Sequence, residues 1–133
     1  MALGLEKRFV DEMAAHALED APNECCGIIA GKDGRAMRLF RAKNAEASPY
    51  RYKVDDRDLF RIYKECSEED WDFLGIYHSH TASEAYPSPT DVRLAFWPEA
   101  YYILVSTKDP GAPVVRAYRI LDGEITEEPI VEP

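Results

Sequence analysis

Trp71-Asp72-Phe73-Leu74-Gly75-Ile76-Tyr77-His78-Ser79-His80 is an apolar run that ends in two histidines one residue apart. Read as a strand, its period of two carries into the histidines and turns both imidazoles to one face, about 6.6 Å apart along the backbone. Two ring nitrogens can then converge on one ion. Downstream, Ser88-Pro89-Thr90-Asp91 brings a carboxylate that a loop can return to the same point. Two nitrogens and one oxygen are a ligand set of catalytic zinc, with the fourth tetrahedral position left to water. The same four residues also read as a helix start, with a serine cap, proline at the first helical position and an acid three residues after the cap. The two roles are compatible, because a capped helix start is a rigid mount for Asp91. Ser79 faces the other side of the strand and receives no chemistry. His16, without such company, is assigned to the surface.

Working outward, Leu5, Phe9, Met13 and Ala17 recur every fourth residue among charges, the stripe of an amphipathic helix from Leu5 to Glu19. Cys25 to Gly31 is a buried-type run, Lys32-Asp33-Gly34 a turn, and Arg35 to Ala42 an alternating strand, together a hairpin. Asn44 to Tyr52 reads as a loop, with a further short strand expected from Tyr50 to Val54. Asp55 or Asp56 caps a second helix running to about Glu68, with Leu59, Ile62, Tyr63 and Cys66 inward. Pro89 to Phe96 suits a short helix. Tyr101 to Ser106 and Val114 to Leu121 suit strands, and Asp122-Gly123 is a hairpin turn before a last strand from Glu124 to Val131. The sum is an α+β, αβα-layered fold with a mixed, largely antiparallel sheet flanked by helices, read as a single domain over residues 1–133.

With 16 basic and 25 acidic residues, the formal charge is −9. Nucleic-acid binding rests on clustered Lys and Arg, and no basic run occurs, so nucleic acid is excluded as a partner. No apolar stretch approaches the roughly 20 residues of a membrane span. The first residues also lack the order of a secretion signal, so the expectation is a cytoplasmic protein without membrane association. Cys25, Cys26 and Cys66 make a poor disulfide framework and fit a reducing compartment.

His78-Ser79-His80, a seven-residue gap and Ser88-Pro89-Thr90-Asp91 together resemble the signature of the JAMM (also called MPN+) zinc metalloproteases. Pro22-Asn23-Glu24-Cys25-Cys26-Gly27-Ile28-Ile29-Ala30-Gly31 resembles the family's N-terminal segment. The stretch from Asn44 through Arg51-Tyr52 to Asp55 resembles a loop of its bacterial stand-alone members. Thr81 departs from the proline that many members carry after the second histidine, which alters loop stiffness and no ligand. The resemblance implies an MPN/JAB fold, similar to that of cytidine deaminases. It also implies zinc on His78, His80 and Asp91, Glu24 as general acid/base, and Ser88 as a donor to the oxyanion. Zinc lowers the pKa of bound water to about 7, a carboxylate base contributes ~10²–10⁴-fold, and an oxyanion donor is worth roughly 3 kcal/mol. The residues by themselves do not single out Glu24 among so many acids; the resemblance does.

The implied function is hydrolysis of a peptide or isopeptide bond at the C-terminus of a ubiquitin-like sulfur carrier protein, releasing cysteine or a short tail beyond its Gly-Gly end, in sulfur transfer or cysteine biosynthesis. A narrow tail suits a groove beside a sheet edge, with Tyr50 to Tyr52 as candidate lining. Two alternatives stand beside it. A zinc deaminase needs His-x-Glu and Pro-Cys-x-x-Cys, and neither occurs. A non-catalytic MPN scaffold would lack ligands that this chain retains. The carrier, the leaving amino acid and the oligomeric state, a homodimer included, stay open at this stage.

Overall fold

The computed structural model describes residues 2–133. In chain order its elements are β1 (Leu3–Gly4), α1 (Lys7–Asp20), β2 (Cys26–Lys32), β3 (Arg35–Ala42), α2 (Asp56–Glu69), β4 (Asp72–His80), α3 (Pro89–Arg93), β5 (Tyr101–Ser106), β6 (Val114–Leu121), β7 (Glu124–Glu128) and β8 (Ile130–Val131). The strands form one sheet in the order β7-β6-β5-β4-β2-β3-β1-β8. Of these neighbours, β4–β5, β1–β3 and β1–β8 are parallel and the rest antiparallel. Among the described residues no helix is long and apolar enough to cross a membrane.

Strand alternation sorts the core into two layers. Ile29, Leu39, Tyr77, Ile103 and Ala117 share a core with Phe9, Met13 and Ala17 of α1. Ile28, Phe40, Ile76, Tyr102 and Ile120 share the opposite core with Ile62 and Cys66 of α2. Helices thus cover both faces, which is why the inner strands read as nearly continuous apolar runs. The fold is α+β, as the patterning indicates. The hairpin from β2 to β3 turns on Asp33 (φ 51°) and Gly34 (φ 75°), and that from β6 to β7 on Asp122 (φ 51°) and Gly123 (φ 80°). Both pairs have the left-handed geometry that matches strand twist. Asp55 caps α2 by accepting from the Arg57 and Asp58 amides at 3.2 and 3.3 Å.

The structure departs from the expectations in particular places. Tyr50 to Val54 forms no strand, only a bridge between Asn44 and Val54. The Asn44 side chain accepts from the Lys53 amide and donates to the Arg51 carbonyl, taking the hydrogen bonds that a neighbouring strand would supply. Helix α3 stops at Arg93 rather than Phe96. Beyond it Trp97, restricted to extended backbone by Pro98, gives its amide to the Tyr102 hydroxyl. Tyr63 is 39 % exposed and stacks on Phe73 instead of turning inward.

The expected last strand is split at Pro129. Its first part pairs with β6 and its second with β1, so one continuous segment links the two ends of the sheet order. Strand β4 lies inside the sheet between β2 and β5, so no free strand edge runs beside His78 and His80.

His16 is buried, not on the surface. Its Nε2 lies 3.3 Å from Asp20 and its Nδ1 2.7 Å from the Tyr77 hydroxyl. Burial pulls its pKa down, with Asp20 acting in the opposite direction. In the neutral imidazole Nδ1 accepts the Tyr77 O–H, while Nε2 faces the Asp20 carboxylate. Gly27 makes the arrangement possible. A Cβ there would lie 2.4 Å from the Tyr77 ring and 2.5 Å from the Phe40 carbonyl oxygen. Tyr77→Phe, which orphans a buried ring nitrogen, is expected to lower stability by about 1–3 kcal/mol. A lower urea midpoint at unchanged slope is the expected readout, and an unchanged midpoint contradicts it.

Candidate metal centre

The end of β4 presents His78 and His80 on one face, their ring centroids 5.1 Å apart. Helix α3 faces them with Asp91. Ser88 caps that helix, its Oγ accepting from the Asp91 amide at 3.0 Å while the Ser88 amide donates to Asp91 Oδ2 at 2.9 Å. The reciprocal bonds aim the carboxylate at the strand end. Asp91 Oδ2 lies 3.1 Å from His78 Nε2 and 3.0 Å from His80 Nε2. One ligand atom from each of the three residues falls within 4.8 Å of the others. A zinc tetrahedron with bonds of 2.0–2.1 Å has edges of about 3.3 Å, close to the 3.1 and 3.0 Å that separate Asp91 Oδ2 from the two Nε2 atoms.

The donor chemistry agrees with that geometry. His80 Nδ1 lies 2.9 Å from the Glu84 carbonyl, which can only accept. Nδ1 therefore carries a proton, and in neutral His80 the Nε2 lone pair is left for an ion. His78 is 1 % exposed, and neither of its ring nitrogens has a hydrogen-bond partner, since Asp91 lies near Nε2 but off the hydrogen-bond direction. A buried nitrogen left in that condition costs about 1–3 kcal/mol, and a divalent cation on Nε2 removes the cost there. The residues present fit a metal ion.

Glu24 precedes β2 and reaches the site by register. Strand β2 pairs antiparallel with β4 at Cys26 and His78, and continuing two residues sets Glu24 opposite His80 on the same face. Ser79, pointing away as its alternation requires, holds that approach in place. Its Oγ accepts from the Cys25 amide at 2.8 Å, and its amide donates to the Cys25 carbonyl at 3.2 Å. Glu24 is 4 % exposed and its Oε1 has no hydrogen-bond partner. Sequence reasoning passed over the clamp, although a buried serine needs a partner for its hydroxyl.

It placed Tyr52 only in a candidate groove, whereas the ring stacks on His78 with centroids 4.1 Å apart and 19° between planes. Tyr50 is exposed and is not among the residues that wall the cleft beside Asp91. Beside Asp91 opens a cleft of about 470 Å³ walled by Tyr52, Val54, Leu59, Ile76, Leu94 and Trp97.

The fold is of the JAB/MPN class, and it carries a buried His-x-His pair at the end of an inner strand, met by a capped aspartate and a buried glutamate. The chain belongs to the prokaryotic JAB family: the family model for prokaryotic homologues of the JAB domain matches residues 6–121. It is 48 % identical over 124 residues to the CysO-cysteine peptidase of Mycobacterium tuberculosis, covering 92 % of this chain and 85 % of that protein. It is 32 % identical over 125 residues to a probable TtuB-protein conjugate cleaving protease of Thermus thermophilus, covering 93 % and 80 %. The solution structure of DSY2949 from Desulfitobacterium hafniense superposes with a TM-score of 0.90 at 35 % identity, covering all of this chain and 93 % of that one.

The acids at the centre respond to their surroundings in opposite directions. Burial pushes Glu24 up to about 8, with the His80 charge opposing and Asp91 adding to the rise. Burial acts upward on Asp91 too, but His78, His80 and the Ser88 amide outweigh it and hold the carboxyl well below its usual range. Burial lowers His78, whereas for His80 the Asp91 carboxylate and the Glu84 carbonyl overcome burial and raise it. Because the folded pKa of Glu24 lies above its unfolded value, its contribution is present in full below about pH 4.5 and is lost as pH rises to about 8. Metal-free Glu24→Gln escapes that loss. Its stability gain over the parent is expected to be about 2 kcal/mol larger at pH 8 than at pH 5 by urea denaturation. Equal gains at the two pH values would contradict the assigned environment.

Proposed function

We propose that the protein is a zinc-dependent hydrolase of one catalytic domain that cleaves a peptide or isopeptide bond at the C-terminus of a ubiquitin-like sulfur carrier protein. The observation that carries this reading is the meeting of His78, His80 and Asp91 around one point with Glu24 buried beside them. The substrate follows from the CysO-cysteine peptidase and TtuB-conjugate protease relatives, the first nearly half identical over almost the whole chain. The leaving group is therefore cysteine or another amine beyond the carrier's Gly-Gly end, which links the reaction to sulfur transfer and cysteine biosynthesis. Buried, unpaired Cys25, Cys26 and Cys66 accord with a reducing, cytoplasmic setting.

His78, His80 and Asp91 would hold the ion. When bound, it supplies Lewis acidity and brings the ionisation of water near neutral pH. Glu24 takes one proton from the attacking water and returns it to the departing amine nitrogen as the C–N bond breaks, giving a free carboxyl and a free amine. Burial favours its neutral form and a bound dication would favour its charged form, so the carboxyl is suited to accept the proton and then give it up. The Ser88 hydroxyl accepts the Asp91 amide on a lone pair, so its proton is free to point at the carbonyl oxygen that gains charge. Walls of Tyr52, Leu59, Ile76 and Trp97 make the adjoining cleft a place for an extended carrier tail.

The decisive experiment uses a sulfur carrier bearing one added C-terminal cysteine, followed by mass spectrometry. Loss of that residue is expected, abolished by chelator and restored by zinc; an intact adduct with zinc-loaded protein refutes the substrate. Glu24→Gln is expected to lose at least about 100-fold in kcat with zinc still bound, whereas His80→Ala loses zinc and activity together. Metal analysis of both purified variants separates the two roles.

A further inference from the structure

We infer that Asn44 is a positioning residue for this site: one buried side-chain amide ties the backbone of Glu24 to the loop that lays Tyr52 on His78. The inference rests on the reading of Glu24 as the base.

Asn44 follows the end of β3 and is 9 % exposed. Its Nδ2 donates to the Glu24 carbonyl at 3.0 Å and to the Arg51 carbonyl at 3.1 Å. Its Oδ1 accepts from the Glu46 and Lys53 amides, both at 3.0 Å. A primary amide has two donors and two acceptor lone pairs, so every hydrogen bond it can make is made. Two carbonyls on one side and two amides on the other also settle which atom is nitrogen. All four partners are backbone groups, drawn from the approach to β2, the turn after Asn44 and the segment that flanks Tyr52.

Tyr52 sits between Arg51 and Lys53, the two residues bonded to that amide, and its ring covers His78. Glu24 is held at neighbouring points as well. Its amide donates to the Ser48 carbonyl of the same loop at 2.9 Å, and Ser79 clamps Cys25 next to it. The Glu24 carboxyl has no hydrogen bond at Oε1 to steady it. Its position therefore derives from backbone, and Asn44 is the side chain that references that backbone to the loop over the histidines. A displacement of about 1 Å in a catalytic group costs on the order of 10²-fold in rate.

The test uses the zinc-loaded full chain and the carrier–cysteine adduct. Asn44→Asp is isosteric and keeps both acceptor bonds, but it sets an oxygen against the Glu24 and Arg51 carbonyls. Asn44→Ala removes all four bonds, and Asn44→Asp carries the test alone should the alanine variant not fold. The expected result is a kcat lower by about 10- to 100-fold, KM within about threefold of the parent and unchanged zinc content. In a Glu24→Gln background Asn44→Asp is expected to cost less than about twofold, because the group it positions is already gone. Equal losses in the two backgrounds, or a loss that only tracks missing zinc, would overturn the inference.

A second readout needs no metal. Protons of the His78 ring lie in the shielding cone of Tyr52, and their NMR shifts in metal-free Asn44→Asp should move towards those of Tyr52→Ala; unmoved shifts overturn the link to the loop. Full activity in Glu24→Gln alone would instead refute the catalytic reading beneath it.

Discussion

The alternation of β4, buried on both faces, is the constraint from which the rest follows. One face carries Ile76, His78 and His80; the other carries Tyr77 and Ser79. The first face supplies chemistry and the second supplies anchorage. Tyr77 reaches across Gly27 to His16 of α1, and Ser79 grips Cys25 just after Glu24. Here the imidazoles are fixed because Ser79 between them and Tyr77 before them are committed to the opposite layer.

Asp91 shows how one group can serve a fold and a site together. The Oδ2 atom that accepts the Ser88 amide in the capping box is the atom that faces both histidines. The cap by itself orients the carboxylate towards the strand end. Glu24 is the complementary case. It has few bonds of its own and sits where burial favours its neutral form, so its placement is delegated to backbone held by Ser48, Ser79 and Asn44. A carboxyl held neutral by burial costs stability as pH rises towards its raised pKa, a trade common at functional sites.

Much of the fold was legible because it is written in local periods. The stripe Leu5, Phe9, Met13, Ala17 places α1, and the pair Asp55-Asp56 marks where α2 begins, with Asp55 as the cap in the structure. The His78–His80 spacing and the Ser88–Asp91 box place three candidate ligands with no knowledge of the fold. Reading failed where a side chain stood in for an element. Asn44 satisfies the backbone that would otherwise have paired as a strand from Tyr50 to Val54. It failed again at His16, because a lone histidine on a helix carries no sign of the tyrosine that covers it 61 residues away.

What the sequence by itself determined is which side chains share a face: helix stripes, strand alternation, caps and turns are properties of neighbours a few residues apart. What only the tertiary structure decided is which distant groups meet. The pairing of Cys26 with His78 chooses Glu24 from among the acids, the loop from Asn44 to Lys53 lays Tyr52 on His78, and Pro129 lets one segment link the two ends of the sheet order. The physical reason is that periodicity is set by backbone geometry within each element, whereas register between elements is set by how the two buried layers fill space, and no local pattern records that sum.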